Sequence, residues 1–325
     1  MTKNQKYIIL IIFVLAIILF FNREETQRDL PVAIGEPLEL IIIKNTQGFS
    51  TQFYDNLKEF LTVKINPSPQ PEAVLKFMEV EEVNFKGVLK RHQNLLVVSK
   101  SKNFSISIKN DVFAIGQQVI FLECPSSILL KKKKQEIIGL VSKIKKTEIN
   151  RMIKDIQANP NKETQHTISQ KHGISLLLPK DFFLAYGNHS VTWSRRETTK
   201  ISQGILIANL DLAIDPPDSN AIISIIDSLT KEHIFGPTEN SHMITEKEAP
   251  VIMDSIVINN LPVLRIKSLW RMENDFMGGV YNAYYFNIDP KQSPKIIYTY
   301  LYAPGEKKNI FLLQLEAIIN TLSKK

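Results

Sequence analysis

Two short blocks concentrate the side chains in this chain that could do chemistry. The first is Trp193-Ser194-Arg195-Arg196-Glu197, and the second is Trp270-Arg271-Met272-Glu273, running on to Asp275 and Gly278-Gly279. Glu239 lies between them in a loop-like stretch after Gly236-Pro237. Guanidinium groups present a planar fork of donors, so a convergent Arg195/Arg271 pair would hold a carboxylate or phosphate in bidentate geometry. Gly278-Gly279 would let backbone approach such a ligand closely. The plainer reading pairs these arginines with Glu197, Glu239 and Asp275 to fix loops, and makes the glycines turn residues. A second feature is Tyr298, Tyr300 and Tyr302, which alternation places on one strand face. They form either an aromatic platform or a sheet face packed under the terminal helix.

Other chemistry is thin. The six histidines are scattered, with no metal-ligand spacing between close pairs. There is no HExxH, G-x-S-x-G elbow, phosphate-binding glycine loop or dinucleotide fingerprint. No cofactor and no metal is expected. The single cysteine, Cys124, ends an apolar run and reads as a small buried hydrophobe. Of the net charge of +7, most sits between Lys131 and Asp155, where nine basic residues meet three acidic ones. That density suits either a solvated helix face or a contact with anionic lipid. No aromatics are interleaved with these lysines, so a single-stranded nucleic-acid surface is not expected.

The elements that must position these residues begin after an apolar segment. Lys3 and Lys6 precede fifteen consecutive apolar residues, Tyr7 to Phe21, and Asn22-Arg23-Glu24-Glu25 follows. A bilayer takes roughly 20 residues of helix, and thinning or snorkelling covers such a shortfall. The expectation is an uncleaved signal anchor over residues 1–25, inserted N-in with the rest extracytoplasmic by the positive-inside rule. No small-x-small cleavage site follows Phe21, and no cysteine there could take a lipid.

A linker, residues 26–37, leads to a first α+β domain over residues 38–158. Its strand-like runs are 38–43, 77–83, 94–99, 104–108 and 117–123. It contains a helix around Phe53, Leu57, Phe60 and Leu61, and ends in a long basic helix closed by Asn159-Pro160-Asn161. Residues 159–171 read as a bridge. A second α+β domain, residues 172–325, has the order four strands, helix, four strands, helix. Its Asn259-Asn260 step signals a hairpin. The fold class expected is α+β, with two α/β-sandwich-like regions. The second is an antiparallel sheet covered by helices, Mog1/PsbP-like by analogy of shape.

Three blocks in this second region carry a family likeness: Trp193 to Glu197 with Ile201-Ser202-Gln203-Gly204, Gly236 to Glu239 with Met243 and Thr245-Glu246, and Leu269 to Glu273 through Gly279. They resemble the bacterial family called domain of unknown function 4837. The resemblance extends more weakly through Asn94 to Val98 and ends near Ile318. It implies an exported envelope protein, commonly bearing a lipoprotein signal that this chain lacks, and it carries over no catalytic residue.

The expectation is a membrane-anchored envelope protein of the periplasmic side. It would bind a partner protein or an anionic envelope ligand with Arg195, Arg271, Glu239 and Asp275 at the site, and Trp193, Arg196, Glu197, Trp270, Gly278 and Gly279 around them. The alternative is a hydrolase that uses paired carboxylates in an arginine-lined cleft, which needs those groups within roughly 10 Å. A third possibility is architectural, with the basic helix resting on the membrane.

Overall fold

A computed structural model describes residues 30–210, 218–289 and 292–325. The apolar run at residues 7–21 lies outside them. Among the described residues no helix is long and apolar enough to cross a membrane.

The first region is a five-stranded sheet. Its strands are β1 (Glu39–Lys44), β2 (Lys76–Glu81), β3 (Asn94–Lys100), β4 (Ser105–Asn110) and β5 (Gln118–Cys124), in the order β2-β1-β3-β5-β4. The first four are parallel and β4 pairs antiparallel at the edge. Helix α1 (Thr51–Leu61) makes the crossover from β1 to β2. Leu40-Ile41-Ile42-Ile43 is buried throughout because both faces of β1 are covered, which is what a continuous apolar run in a parallel strand means. Leu40, Ile42, Leu96 and Ile120 face α1 and the long helix, while Ile41, Ile43, Leu95 and Val119 face Phe85, Leu89 and Phe113.

The basic segment forms two helices, α2 (Ser127–Lys132) and α3 (Lys134–Ala158). Ser126 caps α2 by accepting a hydrogen bond from the Leu129 amide. Lys131, Lys132 and Lys134 are exposed, so this end of the segment is a solvated face. Further along, α3 serves both halves of the chain. Ile137, Leu140 and Ile144 pack into the first region's core, and Ile156 into the second's. Its apolar stripe includes one acid, Glu148, which is only 1% exposed. The Glu148 carboxylate accepts from Arg151 Nη1 at 2.8 Å and from the Asn94 side-chain amide. Arg151 in turn donates to the carbonyls of Gln93 and Gly116, both at 3.0 Å. Asn94 also donates to the Glu39 carbonyl at 3.0 Å, and the Glu39 carboxylate meets His92 at 2.8 Å. The beginnings of β1, β3 and β5 are thereby tied to α3.

Residues 162–172, expected as part of a bridge, are a helix, α4 (Lys162–His172). Its polar composition hides it: only Thr164, Ile168 and His172 are buried. The local signals were present, since Asn161 caps its start and Gly173, at φ +63°, terminates it. His172 is packed with Nδ1 3.0 Å from Asn209 Oδ1 and Nε2 2.9 Å from Thr192 Oγ1. Burial pushes its pKa below the usual 6.5. The folded state therefore binds fewer protons than the unfolded one, and this contribution is complete above about pH 6.5 and lost as pH falls through the folded value. Stability to urea should drop between pH 7.5 and 5.5, and less so in His172→Gln. Glu39 and Asp254, whose pKa values are lowered from 4.5 and 3.8, lose their contributions only at lower pH.

The second region is an eight-stranded antiparallel sheet. After the short β6 (Ile174–Ser175) come β7 (Phe183–Gly187), β8 (Val191–Glu197), β9 (Ser202–Asn209), helix α5 (Ser219–His233), β10 (His242–Thr245), β11 (Ile252–Ile258), β12 (Leu261–Glu273), β13 (Gly278–Phe286), β14 (Lys295–Tyr302), helix α6 (Asn309–Ile319) and β15 (Ser323–Lys324). The sheet order is β10-β12-β13-β14-β9-β8-β7, with β11 also on β12. Asn259 and Asn260 both have positive φ, 46° and 66°, as the two-residue hairpin turn requires. Strand β10 was not expected: it is only four residues long, alternately buried and partly buried.

One face of this sheet lies under α6, with Ile205, Ile207, Tyr284 and Ile297; the other lies under α5, with Leu206, Tyr281, Tyr298 and Tyr300. The tyrosine stripe therefore packs under α5, not under the terminal helix. Leu313 of α6 reaches the first region's core, and Glu72 of that region accepts from the amides of Lys308 and Asn309 at 2.8 and 2.9 Å, capping α6.

Candidate functional site

Alternation along β8 sends Trp193, Arg195 and Glu197 to the α5 face and Arg196 to the α6 face, where it meets Gln314 at 3.0 Å and pairs with Asp181 at 2.7 Å. On β12 the same alternation puts Trp270 and Met272 on the α5 face and Arg271 on the other. Arg195 and Arg271 thus leave opposite faces of the sheet, from strands with β13, β14 and β9 between them. They cannot converge on one ligand. Arg271 instead pairs with Glu273 at 2.6 Å and lies 3.8 Å from Glu246.

What the sheet does bring together is an aromatic and cationic surface at one end of the α5 face. The Arg195 guanidinium sits 5.2 Å from the Trp193 ring centre and 5.5 Å from that of Phe183, and 3.3 Å from the Glu197 carboxylate. Stacking of this kind favours arginine over lysine. In the next strands, Arg195 is in register with Gly204, and Gly204 with Tyr300. The Tyr300 ring lies across Gly204, where an added Cβ would come within 2.0 Å of it. Its hydroxyl is pushed up to about 12 by burial, so it remains protonated. Trp270 lies over Gly279 in the same manner, beside Tyr300 and Tyr302 at 5.9 and 6.1 Å, and donates its Nε1–H to the Leu301 carbonyl at 3.3 Å. Gly279 makes room for an indole inside β13; it is neither a turn residue nor a ligand cradle. Gly278, beside it, is exposed.

The loop acids are elsewhere. Glu239 is exposed. Asp275, in the β12–β13 turn, accepts from the Thr238 hydroxyl and the Phe276 amide, which hold its pKa below the usual carboxylate value. Four strand steps separate β8 from β12, roughly 19 Å along the sheet, so Glu197 is far from the turn that carries Asp275, whereas Glu239, next in sequence to Thr238, lies beside that turn. Among the described residues no group of three or more His, Cys, Asp or Glu side chains is placed to hold a metal.

Sequence reasoning missed three exposed aromatics around this end: Phe183 (45% exposed), Phe235 (68%) and Phe276, which is fully exposed on the β12–β13 turn. In sequence each looks like any core residue. Only its position at a strand start or loop tip leaves it uncovered.

Residues 159–321 match the family model of a domain of unknown function, DUF4837. The chain belongs to the DUF4837 family. The preceding residues, 33–157, match a second domain of unknown function, DUF8532. The DUF4837 match contains the whole antiparallel sheet with α5 and α6, whereas the DUF8532 match ends at the last turn of α3. No curated protein matches. Two solved structures are similar to the chain at a low level. The Ran-binding protein Mog1p of Saccharomyces cerevisiae is 9% identical with a TM-score of 0.30, over 47% of this chain and 90% of that one. A mutant of the protein Mog1 is 10% identical with a TM-score of 0.31, over the same shares. Likeness this weak carries no argument about what a DUF4837 protein does.

Proposed function

We propose that this chain is a membrane-anchored envelope protein, held by residues 7–21 and facing the periplasmic side, that binds a partner protein through the aromatic end of its second sheet. The observation that carries this reading is Arg195 stacked between Trp193 and Phe183, with exposed phenylalanines at the same end of the sheet. Aromatic residues and arginine dominate the energetics of protein–protein contacts, and Phe183 on β7 and Phe276 on the β12–β13 turn, five strand steps apart along the same end of the sheet, would mark the two sides of one such contact. For the alternative of an envelope hydrolase, Glu197 stands too far from Asp275 to pair with it, and Glu239, whose loop does meet Asp275 through Thr238, is exposed to solvent.

A photocrosslinking amino acid placed at Phe183 or Phe276 of the full chain in producing cells should give one common adduct. The same group at Arg271, on the opposite face, should not. Arg195→Ala should reduce the adduct at least tenfold while leaving the circular dichroism spectrum unchanged. Equal adducts from both faces, or no adduct from the aromatic end, would overturn the reading.

A further inference from the structure

A second site lies on the other face of the sheet. Helices α3 and α6 stand over β11–β13 and leave a cleft of about 700 Å³ between them, bordered by Lys145, Lys146, Ile149, Ile153, Ile256 and Arg265. A smaller cavity of about 230 Å³ adjoins it, shares Ser142, Lys145 and Glu316 with it, and adds Lys267. The two together have the size of a small-molecule site.

The lining has two characters. One wall is aliphatic, from Ile149 and Ile153 of α3 to Ile256 and Ile258 of β11 and Ile319 of α6. The rest is polar, with three cations, Lys145, Lys146 and Arg265, set among neutral groups such as Asn150, Gln157 and Asn320. Two acids answer part of that charge: Glu316 pairs with Lys145 at 2.6 Å, and Asp254 pairs with Arg265 through two hydrogen bonds. Neither Lys146, which is exposed at the rim, nor Lys267 makes a hydrogen bond or ion pair among the described residues. Lys267 is half-buried, with Arg265 and Lys145 as like-charged neighbours and Asp254 and Glu316 acting on it only at longer range. Burying an ammonium without a partner costs stability unless something neutralises it. A site with an excess of cations beside an aliphatic wall suits a molecule with an anionic head and a hydrocarbon body.

We infer that this cleft binds an anionic amphiphile, its carboxylate or phosphate head held by Lys146 and Lys267 and its alkyl chain laid along the isoleucines of α3 and β11. This site is separate from the aromatic end and does not depend on it. The volume takes a single chain: at roughly 30 Å³ per methylene-sized unit, the scale of one water's share of liquid volume, about twenty such units fill the larger cleft. The head-group lysines come from different halves of the chain, so the amphiphile would seat across the junction of the two regions.

The test is photolabelling of the full chain in phospholipid nanodiscs with a diazirine-bearing C16 fatty acid, the adducts being mapped to peptides. Adducts are expected in residues 149–157 and 256–259, and the double substitution Lys146→Gln/Lys267→Met should reduce them at least tenfold. Lys267→Arg, which keeps the charge, should retain them and so separates lost recognition from lost folding. Hexadecanol in excess should not compete. Competition by palmitate, but not by a lysophosphatidate of equal chain length, would assign the head as carboxylate, and the reverse would assign it as phosphate. Adducts confined to residues 7–21, labelling indifferent to both lysines, or equal competition by hexadecanol would overturn the inference.

Discussion

Glu148→Ala is expected to destabilise the protein by about 3–5 kcal/mol, the usual result of removing one partner from a buried ion pair. The carboxylate is buried within α3 and meets both Arg151 and Asn94. Without it, the Arg151 guanidinium and the Asn94 amide lose their shared acceptor, and the Leu38 amide, 3.4 Å away, loses one as well. Arg151 would keep the Gln93 and Gly116 carbonyls, so the charge would be partly satisfied but no longer balanced. Urea unfolding at pH 7.5 measures the loss. The double substitution Glu148→Leu/Arg151→Met should lose less than Glu148→Ala alone, because it leaves no uncompensated charge. A single-mutant loss below about 1 kcal/mol would show that the network contributes little to the tie between α3 and the first sheet.

The second large effect is expected at Gly279, where substitution by alanine should cost about 3 kcal/mol or more, at the upper end of overpacking penalties. An added Cβ would fall 2.0 Å from the Leu301 carbonyl oxygen and 2.9 Å from Trp270 Nε1. The first of these is backbone of the neighbouring strand and cannot rotate away; β13 and β14 would have to part. Gly278→Ala is the control, since its Cβ would lie 3.1 Å from the Trp270 carbonyl oxygen and 3.9 Å from the Arg271 Cα, and should cost roughly 1 kcal/mol or less. Unfolding by urea, followed by tryptophan fluorescence, reads both the stability and the displacement of the indole. Equal costs at the two glycines would contradict the packing of Trp270 over Gly279.

Much of the element order was legible in the residues. Apolar runs and alternation located most strands of both sheets, and Asn259-Asn260 announced its hairpin without a glycine. The candidate site was legible only within single strands. Alternation correctly put Trp193, Arg195 and Glu197 together and Arg271 opposite Trp270. It could not compare β8 with β12, because which face of one strand continues which face of another depends on register and strand order. The Arg195–Arg271 pair failed for that reason. The same limit hid the helix above the tyrosines, since either amphipathic helix suits an aromatic face. Helix α4 escaped because a helix lying on the surface of a core needs few apolar residues. Lys267 looked like one more outward residue on a half-buried strand, and only the arrival of α3 over it makes its charge conspicuous.

Helix α3 restricts how the molecule opens. Its first half belongs to one core and its last turns to the other, and α6 returns the exchange through Leu313. Detaching either half would strip apolar surface from a helix that the other half still needs, so an excursion in which only one half unfolds is penalised twice. The cheap openings are those that leave α3 seated: fraying of the exposed β7 edge, of the β12–β13 turn and of the loop that holds Glu239. These are local states of low free energy, drawn from places with few buried contacts. The aromatic end of the sheet thus sits on the part of the structure freest to adjust, while the cleft beneath α3 sits on the part least able to move.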